Sequence, residues 1–141
     1  ECAHRSVLEG TRSAVSWHLT RSSQTEAKVF LRDIMPRALA DLGPEHLTYL
    51  RFRWVYAFAL HDDDAAATLD DMIEAEATYV AIERVYARRF GNSHPETCGL
   101  RGEISKVRER IAKVRKCATC EDPSCRWTQI ARRSGIHPNA R

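Results

Sequence analysis

The sequence predicts an all-α fold, a solenoid of stacked helical hairpins, on three observations. The first is a segment that occurs twice: Glu26-Ala27 runs to Leu42-Gly43-Pro44-Glu45-His46, and Glu74-Ala75 runs to Phe90-Gly91-Asn92-Ser93-His94-Pro95. In both copies the Glu precedes the Gly by 17 residues (43 − 26; 91 − 74) and the Gly precedes the His by 3, so the period is 91 − 43 = 48 residues. Self-similarity at a fixed period of about 20 to 50 residues marks a repeat architecture. The second is that apolar residues recur every three or four positions, the spacing of one helix face. The third is a glycine stop after two of these periodic segments.

The elements follow in order. Val7, Leu8, Val15 and Leu19 lie near helical spacing and predict a first helix, separated by residues 20–23 from a second over residues 24–42. Ala27, Phe30, Leu31, Ile34, Ala38 and Leu42 form the stripe of that second helix, with Pro36 inside it, and Gly43-Pro44 ends it. Residues 47–60 form a third helix, dense in Tyr49, Phe52, Trp54, Tyr56 and Phe58 and so apolar on most sides that neighbours must enclose it. Asp64 or Thr68 can cap a fourth helix reaching Phe90, on which Leu69, Met72, Ile73, Ala77, Val80 and Val85 recur. A fifth, over residues 95–116, carries the narrow stripe Leu100, Ile104, Val107, Ile111 and Val114, as a terminal solenoid helix should. Residues 1–116 thus read as one helical repeat domain. Residues 117–141 change to Cys, Pro, Ser, Arg and Gly and read as a tail, disordered or zinc-binding, with one short helix near residues 127–133.

Composition bounds the function. At 141 residues and 43% apolar, the chain has material for one modest core. No run approaches the roughly 18 to 20 apolar residues that a membrane span needs, so no membrane partner is expected. The chain starts at Glu1 with no basic and apolar leader, and is read as part of a larger polypeptide. Five cysteines, an odd number with three crowded together, argue against a secreted disulfide framework and for reduced thiols in the cytoplasm. The net charge of +3 and pI near 8.7 fall short of a dedicated nucleic-acid binder. Yet residues 101–116 hold seven basic side chains against Glu103 and Glu109, so the charge gathers toward the C-terminus.

The junction Phe90-Gly91-Asn92-Ser93-His94-Pro95-Glu96-Thr97-Cys98, and more loosely Leu42-Gly43-Pro44-Glu45-His46-Leu47-Thr48-Tyr49-Leu50, resembles the tetratricopeptide repeat of the kinesin light chain type. There helix B carries Glu-Ala near its start and Leu-Gly-x-x-His-Pro-x-Thr-Leu opens the next repeat. The resemblance covers about residues 5–116 and implies a right-handed helical-hairpin solenoid of five helices and about two and a half repeats. It also implies a non-catalytic scaffold that holds a partner protein or peptide on its concave face. The period of 48 exceeds the family's usual length of about 42, and the excess falls at residues 61–73, a lengthened turn between paired helices. The groove asparagines of the family are replaced by Trp54-Val55 and Gly102-Glu103. The partner surface is therefore assigned to Arg51, Arg53 and Trp54, since Trp and Arg are the usual anchoring types, and to Lys106 and Arg110 on the basic helix.

Other groupings carry competing readings. Cys117, Cys120 and Cys125 are Cys-x2-Cys-x4-Cys, with His137 twelve residues on, and could close a tetrahedral zinc site; the competing reading, which is preferred, is a reduced tail with no cofactor. Redox chemistry of the Cys-x2-Cys lacks a thioredoxin-like strand and helix around it. His61-Asp62-Asp63-Asp64 has the residue types of a metal-dependent phosphohydrolase but no further ligands at convincing spacing, and reads as a solvated capping turn. His46 and His94, equivalent in the repeat, read as helix-start residues. The aromatic series from Tyr49 to Phe58 reads as core rather than as a stacking platform for single strands. The rival functional class is a nucleic-acid-associated module using the basic face of Lys106, Arg110, Lys116, Arg126, Arg132 and Arg133 with a zinc-bearing tail. No enzymatic constellation is found.

Overall fold

The computed structural model describes residues 21–62, 66–118, 120, 122 and 124–136. These form five α-helices and no strand: α1 (Arg21–Leu42), α2 (Leu47–Asp62), α3 (Leu69–Phe90), α4 (Pro95–Cys117) and α5 (Arg126–Arg133). They are not the same five that the sequence predicts. The helix expected around Val7 to Leu19 lies outside the described residues, and Arg21, Ser22 and Ser23, expected in a turn, are the first turn of α1. The fifth described helix stands in the stretch that reads as a tail.

Consecutive helices pack against each other, α1 on α2, α2 on α3, α3 on α4 and α4 on α5. The period recurs in three dimensions. Helices α1 and α3 each span 22 residues, and both their starts (69 − 21) and their ends (90 − 42) are 48 residues apart, as are the starts of α2 and α4 (95 − 47). Both junctions repeat bond for bond. Gly43 (φ 85°) and Gly91 (φ 91°) take the left-handed region that glycine adopts without the clash a Cβ brings. Each donates its N–H four residues back, to Leu39 O at 2.9 Å and Ala87 O at 3.0 Å. His46 and His94 then start the next helix: Nδ1 accepts from the backbone of Thr48 at 3.2 Å and of Glu96 at 3.3 Å. Their carbonyls accept from Leu50 and Cys98, each at 2.9 Å. The imidazole does here what a Ser or Asp side chain usually does at a helix start, satisfying an N–H that has no carbonyl partner.

The core runs the length of the stack. Leu50, Tyr56, Ala57 and Leu60 of α2 meet Met72, Ala75, Tyr79, Ile82 and Tyr86 of α3, and Leu100, Ile104, Val107, Ile111 and Val114 of α4. The narrow stripe predicted for α4 is buried throughout. The stripe predicted for α1 is used only in part: Leu31 is buried while Phe30 is 63% exposed. Helix α5 adds Ile130 and Ala131, both fully buried, to the same core, and Ser134 Oγ accepts the Leu69 N–H at 2.7 Å. The stretch after residue 116 is thereby tied to the start of α3.

Between α2 and α3 the chain crosses residues 63–68. Thr68, one of the two caps that the sequence offers, starts α3. Its hydroxyl accepts from Asp71 N at 3.2 Å while its own N–H donates to Asp71 Oδ2 at 2.9 Å, a reciprocal box that satisfies two N–H groups at once. Thr68→Ala should lower unfolding free energy by about 1 kcal/mol. In denaturant titrations, Thr68→Ala/Asp71→Ala should lose less than the sum of the two single changes, because either change breaks the same box.

Candidate functional site

The residues assigned to a partner surface divide between outer and structural roles. Arg51 is exposed and lies 3.9 Å from Glu96 on the first turn of α4. Arg53 is half-buried over the Tyr49 ring at 5.9 Å. Trp54 is half-buried, its indole meeting the Tyr86 ring edge-on with centroids 6.3 Å apart, so much of its area already packs α2 onto α3. Lys106 pairs at 2.9 Å with Glu103, a carboxylate only 7% exposed.

Arg110 points into the structure. It donates to the His61 carbonyl at 2.5 Å, near the end of α2, where helix carbonyls lack partners. The same nitrogen lies 3.2 Å from His61 Nδ1. An arginine can only donate, so Nδ1 accepts and the ring proton sits on Nε2, which donates to the Tyr79 hydroxyl at 3.1 Å. His61 is 3% exposed, and Phe58 and Tyr79 both present ring edges to it. Burial, then the Arg110 charge, depress its pKa from 6.5 to about 4. The sequence offers His61 as part of a capping turn or metal motif; its imidazole is a neutral core group. Asp63 and Asp64 lie outside the described residues. Because Arg51 reaches the start of α4 and Arg110 the end of α2, α2 and α4 lie side by side and parallel.

One feature was missed from sequence. Helices α3 and α4 flank an open cleft of about 290 Å³ lined by Val80, Glu83, Arg101, Ile104, Ser105 and Arg108. Two ion pairs frame it, Arg101 with Glu83 at 2.7 Å and Arg108 with Glu76 at 2.6 Å. The signal was present in the spacing. Glu76 and Glu83 are seven apart on one helix, and Arg101 and Arg108 seven apart on the next, two turns in each case, as an antiparallel pair of helices requires. Arg101 also donates to Asn92, so its guanidinium is held in place.

At the far end, Arg115, Lys116, Arg126, Arg132 and Arg133 are exposed, and Trp127 lies beneath Lys113 at 5.7 Å and Arg126 at 4.7 Å. Cys117, Cys120 and Cys125 are half-buried free thiols. Among the described residues no group of three or more His, Cys, Asp or Glu side chains is placed to hold a metal ion, and His137 lies outside them. Burial, then the neighbouring Cys125, pushes the Cys117 thiol up. The Cys125 thiol is drawn down to about 7 by the Thr128 side chain and backbone and by the Trp127 backbone, at the start of α5. Cys98, by contrast, is disulfide-bonded. That departs from the expectation of reduced thiols throughout.

Two outcomes follow from these geometries. His61 binds its proton more weakly folded than unfolded, so stability is full above about pH 6.5 and falls as pH drops toward about 4, by about 3 kcal/mol across that window. His61→Gln should flatten this part of the stability–pH curve, read by denaturant unfolding at half-unit steps. Alkylation of the denatured, unreduced protein should label Cys117, Cys120 and Cys125, and Cys98 only after reduction.

Among the described residues no helix is long and apolar enough to cross a membrane. No family model matches the chain, and no curated protein or solved structure matches it either, so what its surface binds has to be argued from its own side chains.

Proposed function

We propose that this chain is a non-catalytic protein–protein interaction module, a right-handed tetratricopeptide-like solenoid of about two and a half repeats that holds a partner protein or peptide on its concave face. The observation that carries this reading is the junction repeated bond for bond at Gly43-His46 and Gly91-His94, joined to packing of consecutive helices. Parallel α2 and α4 supply one continuous face. Arg51 keeps exposed surface beside the start of α4 and Arg53 lies half-buried over Tyr49 on another side of α2, while Trp54 stiffens the helix by packing on Tyr86. Affinity in such a surface comes from a few anchors rather than from area.

A second reading, a nucleic-acid-associated module, is favoured by the exposed Arg115, Lys116, Arg126, Arg132 and Arg133 around Trp127. Salt separates the two. A complex driven by several phosphate contacts weakens by roughly a thousandfold or more between about 50 and 200 mM salt, whereas an anchored protein complex changes little. Free thiols at Cys117, Cys120 and Cys125 suit the cytoplasm and the Cys98 disulfide an oxidising compartment; Cys98 alkylated without reduction would support the former, Cys98 protected until reduction the latter.

Immobilised protein should capture a partner from cell extract in a form that survives a 200 mM wash, at about the upper salt level above. Arg51→Glu/Arg53→Glu should abolish that capture without lowering thermal stability by more than a few degrees. Retention of the partner by this variant, or capture only of nuclease-sensitive material, would remove the concave-face reading.

A further inference from the structure

Cys117 closes α4 and Cys125, eight positions on, precedes α5. Two turns bring the chain back on itself. Cys120 donates its N–H to the Cys117 carbonyl at 3.0 Å, and Cys125 donates to the Asp122 carbonyl at 3.2 Å. The Asp122 carboxylate holds Ser124 by its N–H at 2.8 Å and its hydroxyl at 2.7 Å. Thr128, on the first turn of α5, donates its hydroxyl to the Cys117 carbonyl at 3.1 Å, fastening the end of one helix to the start of the next. These bonds draw the end of α4 and the start of α5 together and make Cys117 and Cys125, both half-buried free thiols, neighbours across the turn.

We propose that Cys117 and Cys125 are a peroxide-reactive thiol pair that closes a disulfide between the end of α4 and the start of α5. The sulfur of Cys125, the residue that precedes the first turn of α5, attacks one oxygen of hydrogen peroxide as a thiolate. The O–O bond breaks, the other oxygen leaves as hydroxide and takes a proton to become water, and Cys125 is left as a sulfenic acid. The Cys117 thiolate then attacks that sulfur. An S–S bond forms, the S–O bond breaks, and the departing hydroxide is protonated to a second water. Two thiols have lost two electrons and the peroxide has gained them. Because α5 carries Ile130 and Ala131 into the core and Ser134 onto the Leu69 N–H, the new bond locks the last described helix onto the stack.

The pairing competes with Cys117–Cys120, the Cys-x2-Cys that the sequence advertises, and digestion separates them. Lys116 and Arg126 bracket a single tryptic peptide that holds all three thiols, and cleavage after Glu121 divides Cys117 and Cys120 from Cys125. The native protein is treated with stoichiometric hydrogen peroxide, alkylated without reduction and digested. Alkylation should fall from three labels to one, and the two halves of the tryptic peptide should stay linked after cleavage at Glu121. Cys120→Ser should preserve the link, and Cys117→Ser should leave a sulfenic acid on Cys125 that dimedone traps. Halves that separate with Cys117 joined to Cys120, a link that survives Cys125→Ser, or three labels retained after peroxide would each overturn the proposal.

Discussion

Helix α2 has almost no polar face, and most of the architecture answers to that constraint. Tyr49, Leu50, Tyr56, Ala57, Ala59, Leu60 and His61 are all buried, on positions that go round the helix rather than along one stripe. A helix of that kind has to be enclosed, because each large apolar side chain left in water costs about 1.5 to 3 kcal/mol. Helices α1 and α3 enclose it, and the Tyr56 hydroxyl at that contact is satisfied from both sides: Arg32 donates to Tyr56, which donates to Glu74, each at 2.9 Å. One polar relay therefore fixes the register of three helices. His61 does the same with α4, through Arg110, and with α3, through Tyr79.

The charged residues that draw attention in the sequence are mostly employed between helices. Arg88 and Arg89 both reach Glu45 in the turn before α2, Arg101 and Arg108 reach α3, and Arg51 reaches α4. Exposed pairs of this kind contribute about 0 to 1 kcal/mol each, so they set direction and spacing while burial supplies stability. Arg110 differs because it meets a helix-end carbonyl and a buried imidazole, and its removal would leave both without that donor. What remains for a partner is narrower than the sequence count of basic residues: Arg51 and Arg53 on two sides of α2, the framed cleft of α3 and α4, and the cationic end around Trp127.

That end couples fold to chemistry. Helix α5 is short, yet two fully buried residues and bonds to both α3 and α4 hold it in the core. Its attachment to α4 brings Cys117 and Cys125 together. Thiols eight residues apart in an extended chain could not meet; a turn held by Asp122 and Ser124 closes the distance.

The sequence by itself determined the helical class, both glycine stops, the starts of α2 and α4 at His46 and His94, and the buried stripe of α4. Each depends on local spacing and on side chains within four residues, where helical geometry leaves few alternatives. Tertiary structure alone decided the rest. The buried, neutral state of His61, the inward turn of Arg110, the division of Trp54 between core and surface, and the meeting of Cys117 with Cys125 all join residues far apart along the chain or on separate helices. The inclusion of α5 in the core belongs with these. Its loop-like composition up to Ser124 hides two core residues, Ile130 and Ala131, because eight residues are too few for a periodic signal. Local rules place helices, and only the packing of one helix on another decides which of their polar groups face water.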